Sequence, residues 1–303
     1  MENYNAVNDI VEVFERFRMT PLPEIDQFAA RGRAVLIEKV TSFVEAGGPV
    51  EFAMLGFPFK STNERDKVLG KLPDMAEQAT LDNFAEFNRM LKAVYAPGAH
   101  VSVISDGYIF NDLLGVDDAT VAQYGDISKH MRCDAPMKWF NINDFYAGRK
   151  LPTKRDKLVE HFGVTPVELE RRILTDPDVN HLYRGMIHFM QEEEAWKPYP
   201  SKSQLQKSAK KLAREMMFRN EAYSNLVRRE FCDHIRLSMH PSVNSGEKFS
   251  FKLIPGERAV HSAWHCSLVV NGNELITMHR KDAEAAGYEK VFKNGRPYHF
   301  VAA

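Results

Sequence analysis

Hydrophobic and polar positions alternate in blocks along the first half of the chain, and the blocks predict helices and strands in turn. Apolar positions at helical spacing predict helices, whereas short continuous apolar runs predict strands buried on both faces. The predicted elements are helices at 5–19, 26–46, 80–95 and 117–131 and strands at 51–59, 100–105 and 137–142. This order is typical of a parallel sheet with crossover helices, and therefore of an α/β fold.

The second half opens with a mainly helical segment, at about 150–230, which we expect to be an insertion within the same domain. Its last helix, 203–230, carries Arg219 in an apolar stripe between Met216 and Tyr223. A guanidinium on an apolar face needs a partner, because an unpaired buried charge is costly. That partner is either an internal carboxylate or an anionic ligand, and the sequence leaves both open.

Residues 231–240 alternate between apolar and polar side chains and predict a strand that Pro241 ends. Arg236 and His240 fall on its polar face, with His240 at the carboxyl end. Such a face is either wetted by solvent or used to hold a site on a rigid element, and we favour the site for these two residues. Further strands are expected at 249–254, 265–270 and 274–279.

Composition and charge exclude several classes of function. The chain has 303 residues and 44% hydrophobic content, from which we expect a single domain over 1–303. A net charge of −1 gives no reason to expect a nucleic-acid partner. The three cysteines form no CxxC pair, which indicates a reducing compartment and a cytoplasmic protein. We expect neither a signal peptide nor a membrane span, because no apolar run approaches about 18 residues.

The stretch from Val50 to Pro73 joins a buried strand to a polar, cation-rich loop. Open α/β sheets place ligands at the carboxyl ends of their strands, and lysines and hydroxyls there suit a sugar phosphate or a carboxylate. A solvated loop after a core strand is the alternative. The candidate binding residues in and after this loop are Lys60, Ser61, Asn63, Lys67, Lys71 and Asp74. The loop is not a Walker P-loop, because the GxxxxGK[ST] spacing is absent.

Other standard catalytic motifs are also absent. The chain has no GxGxxG after a predicted strand, no HExxH and no GxSxG, so nicotinamide or flavin enzymes, zinc peptidases and serine hydrolases are poorly supported. His261, His265 and Cys266 could bind a metal, although a loop histidine and a packed thiol explain them as well. What remains is a set of cations, of carboxylates that include Asp106, and of imidazoles. This set fits acid–base chemistry on a phosphorylated or carboxylated small molecule without a redox cofactor.

Several stretches together resemble the pyoverdine/dityrosine biosynthesis family, whose bacterial members include isonitrile synthases. The stretches are GFPFKSTN at 56–63, KVLGKLPDMAE at 67–77, YAPGAHVSVISDGYIFNDLLGV at 95–116, IRLSMHP at 235–241 and AWHCSLV at 263–269. They stand in family order from about residue 50 to the C-terminus, and their combination is specific although no single one is.

The resemblance implies a Rossmann-like fold and a reaction that needs neither metal nor cofactor. In that reaction the α-amine of tyrosine or tryptophan becomes an isonitrile, with the carbon taken from C2 of ribulose 5-phosphate. An iron/2-oxoglutarate oxygenase is expected to act on the product. The expected catalytic residues are Lys60, Asp106, His240 and His265, and the expected substrate-binding residues are Ser61, Asn63, Lys67, Lys71, Asp74, Arg219, Arg236 and Trp264.

Three alternatives stay open at this point. A fungal-type branch of the same family modifies tyrosine by N-formylation. A non-catalytic phosphosugar or amino-acid binding protein would use the same cations without turnover. A metal-dependent hydrolase would use His261, His265 and Asp106.

Overall fold

The computed structural model describes residues 2–20 and 23–302. Its larger sheet has five parallel strands: β1 (Val50–Leu55), β2 (Ala99–Ile104), β3 (Met137–Phe140), β4 (Ile235–Ser238) and β5 (Phe249–Ser250). Their order across the sheet is β3-β2-β1-β4-β5, which is the order of a doubly wound nucleotide-binding sheet. The expected α/β fold with a Rossmann-like, mostly parallel sheet is confirmed.

Helices flank this sheet and fill the segment between β3 and β4. They are α1 (Glu2–Phe17), α2 (Arg33–Ala46), α3 (Met75–Val94), α4 (Gly107–Leu114), α5 (Asp118–His130), α6 (Ile142–Phe145), α7 (Leu151–Phe162), α8 (Pro166–Thr175), α9 (Pro177–Glu194), α10 (Lys202–Glu230) and α11 (Arg280–Ala285). A π-helical turn, Phe28–Gly32, leads into α2. The helical insertion expected at about 150–230 therefore exists, as α7 to α10.

A second, smaller sheet forms from the C-terminal part of the chain. Its strands are β6 (Ser267–Asn271), β7 (Glu274–Met278), β8 (Glu289–Lys293) and β9 (Arg296–Val301), in the order β7-β6-β9-β8. Strands β6 and β9 run parallel and the other pairs antiparallel. The sequence pattern predicted β6 and β7 but neither β8 nor β9.

Several predicted strands are shorter than the pattern indicated: the strand predicted at 249–254 extends only over β5 and the one at 137–142 only over β3. Strand β1 stops at Leu55, because Gly56 and Pro58 flank Phe57, whose φ of 53° lies in the left-handed region. The strand predicted at 231–240 extends only over β4, because Phe231 to Asp233 still form a turn after α10. The alternation of apolar and polar residues is present. However, only a short part of this segment pairs with β1 and β5, so the strand does not include all ten residues.

The main hydrophobic core joins the helices to the larger sheet and includes Leu268 of the smaller one, whereas Val269, Ile276 and Phe300 of the smaller sheet form a second, separate cluster with Leu69 and Ala283. Phenylalanine rings form the centre of the main core, with Phe14 against Phe52 at 6.1 Å and Phe84 against Phe251 at 5.0 Å between ring centroids. Within the described residues, no helix is both long and apolar enough to cross a membrane.

Candidate active site

The carboxyl ends of β1 and β4 face the side on which a doubly wound sheet binds ligands. Neighbouring strands β1 and β4 lie where the strand order reverses, so their following loops leave in opposite directions and open a crevice. The loop 56–63 follows β1, Ser105 to Gly107 follow β2, and His240 lies two residues beyond β4. Three sequence-predicted motifs therefore meet at one edge of the sheet.

An aromatic layer lies at this edge and fixes the start of the β1 loop. The ring of Phe57 packs against Trp139 at 5.2 Å and against Trp264 at 5.3 Å between centroids. Gly56 permits this approach, because a Cβ there would lie 2.9 Å from Trp264 Cη2. The left-handed backbone of Phe57 is strained for a bulky residue, and such strain is typical of functional sites.

Lys60 is held inside the protein by two carboxylates. Its Nζ lies 3.0 Å from Asp74 Oδ2 and 2.8 Å from Glu77 Oε2, and it donates to the carbonyl of Ala263 at 2.9 Å. Tyr124 donates to the other oxygen of Glu77 at 2.9 Å. Burial alone lowers the pKa of Lys60, but the two carboxylates outweigh it and raise the pKa above its ordinary value.

This network fixes the β1 loop to the start of α3, and it accounts for the positions of two sequence-predicted residues. Asp74 caps α3 in a capping box with Glu77, whose pKa burial raises to about 7. The sequence predicted that the ammonium group of Lys60 would face a ligand. The side chain of Lys60 is instead fully covered, with 0% exposure, and its charge is already compensated.

A second ion-pair network binds the rest of the loop to the end of α9. Glu193 accepts from Ser61 Oγ at 2.7 Å and from the Thr62 backbone N–H at 3.1 Å, and Lys67 Nζ lies 3.0 Å from it. Asn63 donates to the Glu192 carbonyl at 2.9 Å. Ser61, Asn63 and Lys67 are therefore engaged with α9, and Lys67 also pairs with Glu192, whose side chain is 39% exposed.

Two imidazoles stand beside these lysines. Burial lowers the pKa of His265 well below its usual range, and the nearby Lys67, His240 and Lys60 lower it further. His265 is oriented by Ser262 Oγ at 3.2 Å from its Nδ1 and by the ring of Phe189 at 5.1 Å. A neutral imidazole in this position can accept a proton.

His240 follows β4 and lies near His265. Its side chain remains accessible to water, yet burial by the surrounding protein lowers its pKa, with a further contribution from Lys248. Trp264, which precedes His265, accepts a backbone hydrogen bond from Ser61 N at 2.8 Å. The structure thus brings together His240, Trp264, His265, Lys60 and Lys67.

Asp106 begins α4 beside the same loop. Ser105 Oγ donates to the Phe57 carbonyl at 2.9 Å, and a Cβ on Gly107 would lie 2.4 Å from the Pro58 carbonyl, so the two loops are in contact. Burial raises the pKa of Asp106 to about 6. Its Oδ1 is buried and accepts no hydrogen bond from any described residue. A buried carboxylate with a pKa near neutrality is suited to proton transfer.

Three further candidates lie apart from this cluster. Arg219 is paired with Asp112, at 2.6 and 3.1 Å, and also donates to the Ile109 carbonyl, so its partner is an internal carboxylate. Arg236 packs against α10, where it donates to Ser224 Oγ at 3.3 Å. Lys71 is exposed to solvent.

Sequence reasoning missed several residues that hold the site together. Glu77 and Glu193 supply the negative charge opposite Lys60 and Lys67, and Tyr223 donates to the Ser105 carbonyl at 2.8 Å. Glu77 could have been recognised from the spacing of a capping box after Asp74. Nothing in the helical pattern distinguishes Glu193 from its acidic neighbours.

The metal-site alternative finds no support in the described part of the chain, residues 2–20 and 23–302. Among those residues no group of three or more histidine, cysteine, aspartate or glutamate side chains is placed to hold a metal ion. Two surface cavities, of about 320 and 230 Å³, lie elsewhere on the molecule. They are lined by residues of α8 and α9 and of α6, α7 and α10, and by none of the residues predicted from sequence.

Comparison with known proteins gives consistent matches over most of the chain. The profile of the pyoverdine/dityrosine biosynthesis protein family matches residues 40–291. L-tryptophan isonitrile synthase AmbI2 of Fischerella ambigua is 33% identical, over 88% of this chain and 81% of its own length. An L-tyrosine isonitrile synthase of Pseudomonas aeruginosa is 32% identical, over 88% of this chain and 83% of its own length. The crystal structure of PvcA from Pseudomonas aeruginosa superposes with a TM-score of 0.91 at 28% identity, covering 98% of this chain and all of that one.

Proposed function

Because the chain belongs to the pyoverdine/dityrosine biosynthesis protein family and is an enzyme of that family, we propose that it is an isonitrile synthase. The substrates are an aromatic L-amino acid, tyrosine or tryptophan, and ribulose 5-phosphate. The amino-acid nitrogen is retained, and C2 of the sugar phosphate becomes the isonitrile carbon. The tryptophan and tyrosine enzymes among the relatives are nearly equally similar to this chain, so either amino acid remains a candidate.

The observation that carries this proposal is the meeting of proton-transfer groups and cations at one edge of the sheet. An amine attacks a ketone only when the amine is uncharged, so the reaction needs a base beside the nitrogen. The surroundings of His265 lower its pKa and so keep its imidazole neutral, and Asp106 has a pKa of about 6, which is close to neutral pH. The later steps expel phosphate and break carbon–carbon bonds, and donors near the developing negative charge favour them.

Each residue at this edge has a distinct part in the proposal. Asp106 and His265 exchange protons with the amine and with the imine formed from it, and His240, a neighbour of His265, is the third proton-transfer group. The partly exposed ring of Trp139 forms the wall against which an aromatic side chain would pack, and the buried rings of Phe57 and Trp264 support it. The networks around Lys60 and Glu193 keep the β1 loop rigid, so that these groups are held in position.

Incubation of the purified protein with each amino acid and ribulose 5-phosphate labelled with carbon-13 at C2 tests the proposal. We expect an isonitrile that contains the label, detected by its infrared band and its mass. A labelled N-formyl amino acid would identify the formylating branch of the family instead. Binding of both compounds without any product would show a receptor rather than an enzyme.

The proposed product also suggests how the enzyme is placed in the cell. An isonitrile of an aromatic amino acid retains its carboxylate and benzylic carbon, both of which an iron/2-oxoglutarate oxygenase can process next. The three cysteines are unpaired in the structure, which fits a reducing compartment such as the cytoplasm.

A further inference from the structure

Two imidazoles outside the proposed proton-transfer groups, His261 and His279, stack at the joint between the two sheets. Their ring centroids are 5.2 Å apart, with 29° between the planes. His261 is exposed and His279 is partly exposed. Across the described residues, neither ring has a hydrogen-bond partner on its nitrogens, so both can donate to a ligand.

Backbone hydrogen bonds fix this pair next to Lys67. Arg280 N donates to the Lys67 carbonyl at 3.0 Å, which holds the preceding His279 beside the β1 loop. His261 N donates to Thr277 Oγ1 at 3.0 Å, which holds His261 against the end of β7. Three separate parts of the chain therefore present one ammonium and two imidazoles to the same place.

The two carboxylates on Lys67 differ in a way that matters here. Glu193 is 1% exposed and is held by several donors, so it is part of the framework. Glu192 lies 2.8 Å from Lys67 Nζ but is 39% exposed, and its other contact is His188 at 3.4 Å. An exposed side chain on a single lysine can rotate away when a stronger anion competes for the ammonium.

We infer that His261, His279 and Lys67 form the site for the phosphate group of the sugar-phosphate substrate, and that Glu192 occupies Lys67 while the site is empty. This inference rests on the proposed function. A phosphate monoester carries close to two negative charges and three acceptor oxygens, which match one ammonium and two imidazole donors. His265 is close enough to Lys67, His261 and His240 to be influenced by all three, so a sugar bound by its phosphate here lies beside the proton-transfer groups.

The double variant His261→Gln/His279→Gln tests the inference by steady-state kinetics. We expect the KM for ribulose 5-phosphate to rise about ten- to hundredfold, as for loss of hydrogen bonds to a charged group. The kcat and the KM for the amino acid should stay within about twofold, because only substrate binding is lost. Inorganic phosphate should compete with ribulose 5-phosphate in the wild type and about tenfold less well in the double variant.

Glu192→Gln gives a prediction of opposite sign. Removal of the competing carboxylate should lower the KM for ribulose 5-phosphate several-fold. His181→Gln, an exposed histidine on α9, is the matched control and should change neither constant. A wild-type KM for ribulose 5-phosphate in the double variant, or a raised KM in Glu192→Gln, would overturn the inference while the enzyme still makes isonitrile. An inactive wild-type protein that nevertheless binds ribulose 5-phosphate by calorimetry, and loses that binding in the double variant, would instead reject the proposed function.

Discussion

Asp106, which we propose as a proton-transfer residue, carries an energetic cost to the fold. Its carboxyl has a folded-state pKa of about 6, raised by burial from an ordinary value of 3.8. Between these two values the folded protein holds the proton more tightly than the unfolded chain does. The free energy of unfolding therefore falls as pH rises through this window, and above about pH 6 the folded state carries the full cost of the buried charge.

Asp106→Asn should separate activity from stability. The neutral, isosteric amide removes the buried charge, so we expect a gain of roughly 1–2 kcal/mol in the free energy of unfolding at about pH 7.5 and about a third of that gain at about pH 4.5. Turnover should fall at least about a hundredfold, as for loss of a general acid or base. Urea unfolding at both pH values and single-turnover kinetics measure the two effects.

The exposed Asp134 provides the control for this experiment, and Asp134→Asn should change neither quantity. A folded Asp106→Asn enzyme with wild-type turnover would remove Asp106 from the proton-transfer groups. An unchanged stability at the higher pH would show that its carboxyl is well solvated.

Lys60 shows why a cation at a strand end does not by itself indicate a ligand site. Its partners, Asp74 and Glu77, follow it by 14 and 17 residues and are fully buried with it. Lys60→Met leaves two buried carboxylates without a cation, so we expect a loss of about 3–5 kcal/mol in the free energy of unfolding. Chemical denaturation measures this loss.

Lys71→Met, at an exposed lysine after the same loop, is the comparison and should stay within about 0.5 kcal/mol of the wild type. If Lys60→Met were as stable as the wild type but needed far more ribulose 5-phosphate, Lys60 would belong on the substrate rather than in the framework.

Among the elements, α9 does most to hold the β1 loop in place. Its last turn presents Glu193 to Ser61, Thr62 and Lys67. Glu193→Ala removes these contacts together and leaves a buried hydroxyl and ammonium less well paired. We expect a loss of about 2–4 kcal/mol in stability and faster amide hydrogen exchange across residues 61–67.

Glu170→Ala is a suitable control, since Glu170 is an exposed partner of Arg214 on the neighbouring helix α8. It should leave hydrogen exchange in the loop unchanged. Unchanged exchange in Glu193→Ala would mean that α9 and the loop are held by apolar packing instead.

Elements with a local signal were predictable from the sequence, and elements that depend on distant partners were not. Gly47 adopts the left-handed C-cap of α2, and Thr165 caps α8 with Pro166 in its first turn, as short-range rules require. By contrast, α4 is a short helix that no periodicity distinguished, β8 is mostly exposed, and β9 has only two buried residues, Tyr298 and Phe300, in six.

The same distinction applies to the candidate site. The rule that ligands lie at the carboxyl ends of strands brought Asp106, His240 and the β1 loop to one edge. The pairing of Arg219 with Asp112, 107 residues away, could not be predicted from the sequence pattern around either residue. His279 was not predicted as a binding residue although it follows β7, because ligands were expected only at the strand ends of the larger sheet.

At the scale of the whole molecule, the two sheets are joined where the proposed site lies. Ser61 N donates to the Trp264 carbonyl at 2.8 Å, Arg280 N to the Lys67 carbonyl at 3.0 Å, and Ser267 Oγ to the same carbonyl at 3.2 Å. Leu268 of β6 shares one core with Phe52 of β1. A site built across this joint requires both sheets to be folded, which supports our proposal that residues 1–303 form a single domain.

Equilibrium unfolding can therefore test whether the chain is one cooperative unit. Trp139 lies in the larger sheet, Trp264 at the joint, and Trp196 within the helical insertion, between α9 and α10. If the sheets share one core, tryptophan fluorescence and far-ultraviolet circular dichroism should follow a single, coincident transition in urea. Chains of this length often unfold through intermediates, so coincident transitions would be informative.

Two transitions, with circular dichroism lost in part while the fluorescence of buried Trp264 persists, would show that the insertion or the smaller sheet folds independently. In that case the joint would be an interface between domains, and the distance between His279 and Lys67 would depend on how the two are docked.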